Sequence, residues 1–423
     1  MSRAMKDSGI PWIGEIPSRW DTCFIKQVMR NKSVKGYPDE QVLSLYRDYG
    51  VVPKDSRDDN HNVTSEDTSG YKLVDVGDFV INKMKAWQGS MAVSGYRGII
   101  SPAYYICRFT APVYKKYIHY LLRNETYKAE YLRLSTGLRV GQWDLNVDDF
   151  LHIPMVLPPI SEQQTIADFL DKKCGEIDEM VSLQEKIVEE LKAYKQSVIT
   201  EAVCKGLNPD VPMKDSGIEW IGQIPNHWGE SKLKNVASLK TGTTPNGFDM
   251  PQEDNVVPWY TPTDITEEGN EISKYERTLN LSTIMSEGIS LFPKHSLLFV
   301  GIGASAGKIG YVLKEGYSNQ QITALIPLNC VSKYYFYYLT ADRKRLRDNA
   351  FFTTLPIINN AYLSQEKITV PPLLEQKAIA DYLDTKCAEI DALISLKQSK
   401  IEALKEYKKS IIYEYITGKK EVI

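Results

Sequence analysis

The chain has 423 residues, 43% hydrophobic and 25% charged, with 51 Lys and Arg against 54 Asp and Glu. That length supports two or three domains, and the balance excludes a disordered, collagen-like or disulfide-scaffold protein. No segment approaches the roughly 18–20 apolar residues that cross a bilayer. Met1–Ile10 has no hydrophobic signal core, and the six cysteines form no close pair. The expectation is a reduced, cytoplasmic protein with no membrane association and no metal site.

The net charge of −3 hides a gradient. Residues 1–157 carry 21 basic and 18 acidic side chains, and residues 158–206 carry 6 and 10. A mildly basic globule followed by an acidic helix stays compatible with DNA, because only the contacting face must be positive.

In chain order, Lys6–Trp20 (KDSGIPWIGEIPSRW) comes first and returns 208 residues later as Lys214–Trp228 (KDSGIEWIGQIPNHW), with 11 of 15 positions identical. Short apolar runs bounded by Gly and Pro follow it, such as Asp78–Ile81 (DFVI), and predict strands. Lys115–Leu122 (KKYIHYLL) predicts a helix whose tyrosines are core or half-buried packing rather than a binding surface. Pro158-Pro159 then opens the strongest helical signal, with Ser161 and Gln164 spaced as a capping box. Its apolar seam is Ile166, Leu170, Ile177, Val181, Val188, Leu191, Tyr194 and Val198, and Gly206 and Pro209 stop it.

The second block contains a strand signal at Leu297–Val300 (LLFV) and a helix signal at Lys333–Thr340 (KYYFYYLT). Pro371–Glu414 repeats the long helix at an offset of 213, with 24 of 44 identities to Pro158–Glu201. Its seam is Ile379, Leu383, Ile390, Ile394, Ile401, Leu404, Tyr407 and Ile411, and Gly418 ends it. Gln184 and Lys397 interrupt the two seams at matching places, where a polar residue sets register or faces a partner.

The pattern is a duplicated domain pair: globules at 1–157 and 207–370, long helices at 158–206 and 371–423. The expected fold is α+β, two mixed α/β globules joined by two helices that pair as an antiparallel coiled coil with pseudo-two-fold symmetry. The globules do not align with each other. Drift after duplication explains this, and so does binding of two different targets on flanks that bind the same thing.

Nothing here supplies chemistry. Gly301–Gly310 (GIGASAGKIG) fails the phosphate-loop pattern twice, since Ile309 follows Lys308 and Ile302 holds the first glycine position, so a tight turn between strands is expected. The five histidines are scattered. No Asn-Pro-Pro-aromatic methyltransferase motif and no nuclease carboxylate–lysine cluster is present, so the chain is expected to be no enzyme.

The order KDSGI-x-WIG-x-IP, variable block, PP-x-x-EQ…IA-x-[FY]LD…EID, given twice, resembles the specificity subunit of type I restriction–modification systems over essentially the whole chain. GDFVINKMKAWQG, GIISPAY and TGLRV in the first block look like one class of target recognition domain, and LKTGTTP and SNQQITALIP in the second like another. The resemblance implies a reader of double-stranded DNA whose two target recognition domains each take half of an asymmetric bipartite site. It further implies helices that act as spacer and docking surface for two modification (methyltransferase) subunits, with restriction (translocase/endonuclease) subunits joining them. No cofactor would be bound by this chain; S-adenosylmethionine, ATP and Mg would lie in the partner subunits, and the assembled complex would be an adenine-N6 methyltransferase and ATP-dependent endonuclease.

Base readout needs forked donors and amides, and phosphate contacts need cations and hydroxyls. The candidates in the first block are Asn82, Lys83, Lys85, Arg97, Ser101, Tyr104, Arg139 and Gln142. In the second they are Thr243, Thr244, Asn246, Tyr260, Thr263, Lys308, Asn319 and Gln320. Two other readings are a single-chain DNA methyltransferase or nuclease, active alone, and a structural adapter with no DNA role.

Overall fold

The computed structural model describes residues 3–47, 49–56, 67–137, 143–245, 256–352 and 355–422. It separates into two compact units, Met1–Glu185 with Gln398–Ile423, and Lys186–Lys397. The principal helices are α1 (Lys115–Arg123), α2 (Ile160–Lys205), α3 (Ser332–Asp348) and α4 (Leu373–Ile416). Each unit therefore holds one block, half of α2 and half of α4. The expected boundaries at 157/158 and 370/371 sit where the long helices begin, but the compact units divide each helix in its middle, beside Gln184 and Lys397. An apolar stripe must be covered along its whole length, so each half of a long helix belongs to the core beside it.

The two long helices pair antiparallel. In the first unit Phe169 of α2 packs on Tyr415 of α4, ring centroids 4.5 Å apart, and Lys408 bonds Asp178 at 2.7 Å. In the second unit Lys195 bonds Asp391 at 2.7 Å. Ile166, Leu170, Ile177, Val188, Ile379, Leu383, Ile390, Ile394, Ile401 and Ile411 are buried as the seam requires. Tyr194 and Tyr407 are not: they are 51% and 56% exposed. Periodicity fixes a residue's angle about its own helix, not how far the neighbouring helix reaches around it.

The start of α2 also differs from expectation. No Ser161–Gln164 box closes it; the N–H groups of Glu162 and Gln163 instead bond the Pro159 carbonyl at 2.9 Å. The anchor is the buried Gln163, whose Nε2 donates to Pro158 O at 2.8 Å while Oε1 accepts from the Tyr114 N–H at 2.9 Å. Gln376 repeats both bonds, to Pro371 O at 2.8 Å and from the Val331 N–H at 2.9 Å. Tyr114 and Val331 are the N-caps of α1 and α3, so one amide ties a long helix to a short one in each unit. Gln376→Ala is expected to cost the second unit about 1–3 kcal/mol, because two buried backbone groups lose their partners. An unchanged urea midpoint would rule this anchor out.

The repeated short motif is a hairpin, Met5–Asp7 against Glu15–Pro17, and again Met213–Asp215 against Gln223–Pro225. Asp7 Oδ1 accepts from Gly9 N and Ser8 Oγ from Ile10 N, both at 3.0 Å; Asp215 and Ser216 do the same at 2.9 and 3.1 Å. Those bonds account for the repeated Asp-Ser-Gly. Each hairpin presents a buried tryptophan to the end of a long helix. Gly418 after α4 lies on Trp20 and Gly206 after α2 lies on Trp228, both at positive φ, and a Cβ at either would fall 3.1 Å from the indole. Glycine is the residue that ends a helix this way against a bulky neighbour.

On this shared frame sit two different sheets. The first unit has four antiparallel strands in the order Met29–Lys32, Tyr104–Phe109, Phe79–Asn82, Met91–Val93. The second has five, in the order Ala237–Thr241, Ile322–Pro327, Leu297–Val300, Ile309–Val312, Asn270–Ile272, the last pair parallel. Phe79 and Ile81 join one core and Val80 another. A strand covered on both faces reads as a continuous apolar run, which is why DFVI does not alternate.

Candidate nucleic-acid interface

The strand pairing of the first unit gathers several polar and basic residues at one end of its sheet. Tyr104 lies opposite Asn82 and Tyr105 opposite Ile81. The Tyr104 N–H bonds Ser101 O at 3.1 Å. Lys83 follows Asn82; its Nζ bonds Asp144 at 2.7 Å and stands 5.9 Å from the Tyr105 ring centroid. The hydrogen bond to Asp144 raises the Lys83 pKa above the ordinary lysine value. Lys85 is exposed two residues on. Asn82, Lys83, Ser101 and Tyr104 thus share one patch.

In the second unit the chain after Ala237–Thr241 turns against the loop that precedes Ile322–Pro327. The Thr243 N–H bonds Ser318 O at 2.9 Å, and the Thr244 hydroxyl bonds Gln320 Oε1. Asn319 Nδ2 donates to Gln321 Oε1 at 2.9 Å, and its Oδ1 accepts from the Gln321 N–H at 3.2 Å. Gly242 makes this approach possible, since a Cβ there would lie 2.2 Å from Ser318 Oγ. The result is a compact row of hydroxyls and amides. Asn360 extends it, donating to Thr241 Oγ1 at 2.8 Å and accepting from the Thr323 hydroxyl at 2.5 Å.

These two surfaces carry groups suited to reading base edges and phosphates. Among the described residues, no group of three or more His, Cys, Asp or Glu is arranged to hold a metal, and no helix is long and apolar enough to cross a membrane. GIGASAGKIG is the connection between the antiparallel strands Leu297–Val300 and Ile309–Val312.

The family model for the type I restriction modification DNA specificity domain matches residues 17–196 and again 225–406. The chain belongs to this family. A Methanocaldococcus jannaschii protein assigned as the type I restriction enzyme MjaX specificity subunit is 25% identical over 435 residues, covering 96% of this chain and 95% of its own. The EcoDI specificity subunit of Escherichia coli is 23% identical over 360 residues, covering 79% and 76%. Among solved structures, a chain of a type I R-M system superposes with a TM-score of 0.74 at 16% identity, covering 95% of this chain and 98% of its own. The HsdS subunit from Thermoanaerobacter tengcongensis does so with a TM-score of 0.53 at 16% identity and the same coverage.

In this DNA specificity chain the remaining candidates fall elsewhere. Arg97 lies apart from the first patch, bonded by Nε to Glu40 at 2.8 Å and by Nη1 to Asp75 at 2.5 Å. Asp75 also takes Lys32 and Arg108, at 2.8 and 2.6 Å, and the bond from Lys32 leads in holding its carboxyl below the usual range. Lys308 bonds Glu267 at 3.0 Å, and Thr263 is held by the Thr261 hydroxyl at 2.7 Å and Glu276 at 3.3 Å. Tyr260 is a correction. Its ring is 1% exposed in a core cluster and its hydroxyl donates to Lys314 O at 2.6 Å, so it faces inward. Arg139, Gln142 and Asn246 lie outside the described residues. Lys72, Tyr105 and Asn360 were not among the candidates, yet they border the two patches; only their polarity next to turns marks them in the sequence.

Proposed function

We propose that this chain is the non-catalytic reader of a two-part DNA site, in which the first block takes one half-site and the second block the other. The observation that carries the reading is one frame, built twice, bearing two unlike sheets with two unlike polar surfaces. A lysine- and tyrosine-rich patch and a hydroxyl-and-amide row read different base patterns, so the site is asymmetric.

The same frame offers a docking surface twice. Met180 and Leu183 on α2 are exposed in the first unit, and their counterparts at an offset of 213, Leu393 and Leu396 on α4, are exposed in the second. Tyr194 and Tyr407 are a third exposed pair at that offset. Large apolar groups left uncovered at equivalent places fit two copies of one protein partner, here two modification subunits, with restriction subunits added to them. A groove of about 1520 Å³ in the first unit, walled by Arg47, Lys116, Asp171, Asp178, Lys408 and others, mixes charge signs. That suits a protein better than a polyanion. S-adenosylmethionine, ATP and Mg belong, on this reading, to the partners.

The test is methylome sequencing of a methylation-free host that expresses this chain with the modification subunit encoded beside it. The expected result is a gapped motif with N6-methyladenine on both strands. No new methylation from a soluble, associated complex would overturn the reading in favour of an adapter.

A further inference from the structure

Lys72 begins the strand Lys72–Val74 and is half-buried. Its ammonium donates to Tyr104 O at 2.7 Å and stands 5.7 Å from the Tyr105 ring centroid. Lys83 reaches the same ring at 5.9 Å. The Leu73 N–H bonds Val34 O at 2.8 Å, which lays the exposed Lys35 beside Lys72. Among the described residues no carboxylate pairs with Lys72 or Lys35; the single acid of the cluster, Asp144, is held by Lys83. Burial first, then Lys35 and Lys83, lower the Lys72 pKa below the ordinary lysine value.

A half-buried cation with like-charged neighbours and only a carbonyl and a ring for company is costly to keep. An anion seated among the three ammonium groups would offset that cost, and the ring faces add cation–π attraction without neutralising the charge. We propose that Lys72 and Lys83, grouped round Tyr105, form with Lys35 beside Lys72 a seat for a backbone phosphate of DNA that fixes the first block on its half-site without reading sequence. This rests on the DNA-reading function above and names one of its contacts. The neighbouring Asn82 and Lys85 are then carried to the base edges by a fixed phosphate.

The experiment is a titration of the full-length chain, assembled with its modification subunit, onto a duplex bearing the methylated motif and onto a scrambled duplex, over a range of salt. Lys72→Gln is expected to weaken both about five- to tenfold and to make the slope of log K against log salt shallower by about one. Lys72→Arg restores both. A thermal melt of each variant separates lost contact from lost folding. Unchanged affinity and slope would overturn the seat, and so would weakening on the motif duplex alone, which marks a base reader. Wild-type binding without preference for the motif would sink the reader itself and leave the seat to be judged by the slope.

Discussion

Tyr334→Ala is expected to destabilise the second unit by about 3–5 kcal/mol, the range for emptying a large aromatic site in a packed core. Tyr334 is fully buried on α3, and its hydroxyl donates to Val203 O at 3.0 Å. Val203 lies in the last turn of α2, where carbonyls have no partner within the helix. Tyr117 on α1 does the same in the first unit, donating to Ile416 O at 2.9 Å, and Ile416 is the counterpart of Val203 at an offset of 213. Each tyrosine-rich helix also grips the other long helix of its unit. Tyr120 donates to Asp171 at 2.7 Å and Tyr337 to Asp384 at 2.6 Å. Tyr334→Phe keeps the ring and leaves the Val203 carbonyl unpaired, so it should cost about 1–2 kcal/mol. Hydrogen exchange resolved along the chain checks both variants, with lost protection expected in Leu297–Val370 and the last turn of α2. A Tyr334→Phe variant as stable as the wild type would show that the hydroxyl is not the cap.

The frame was legible because its signals are local or repeated. A seam of steps three, four and seven shows on one helix at a time, and an offset of 213 shows by comparison within the chain. What stayed hidden depends on partners far away in sequence. Gln163 anchors α2 through Tyr114, 49 residues earlier, so a spacing rule for neighbours points to Ser161 and Gln164 instead. Tyr260 sits in Val256–Tyr260, where Pro258, Trp259 and Tyr260 are all buried, and no alternation there tells the inward face from the outward one. The likeness of the flanks has a packing cause in the two hairpins, glycine ends and glutamine anchors, which fit one another within each unit, and leaves only the exposed apolar pairs of the long helices to a shared partner. The unlike blocks are what remains for unlike targets.

Gln320→Ala is expected to relax recognition at the half-site of the second block by about ten- to a hundredfold, or about 1–3 kcal/mol, and to leave the first half-site unchanged. Gln320 is exposed, and its Oε1 accepts from Thr244. A carboxamide oxygen has two lone pairs, so Thr244 leaves one acceptor site, and among the described residues none takes the Nε2 protons. That is the set a glutamine needs to take N6 and N7 of an adenine together, held in one orientation by the threonine. Asn319 differs, because its oxygen and its amide each already hold Gln321 and so close the turn, which leaves one lone pair and one N–H. Asn319→Ala should therefore loosen the turn and weaken binding on every duplex rather than change the motif. Thr244→Val, which removes the orienting hydroxyl and keeps the volume, should reproduce part of the Gln320→Ala loss. Methylome sequencing of each variant reads the two half-sites separately in one experiment. Equal loss at both half-sites would break the assignment of one block to one half-site, and a motif unchanged at both would remove Gln320 from the reading surface.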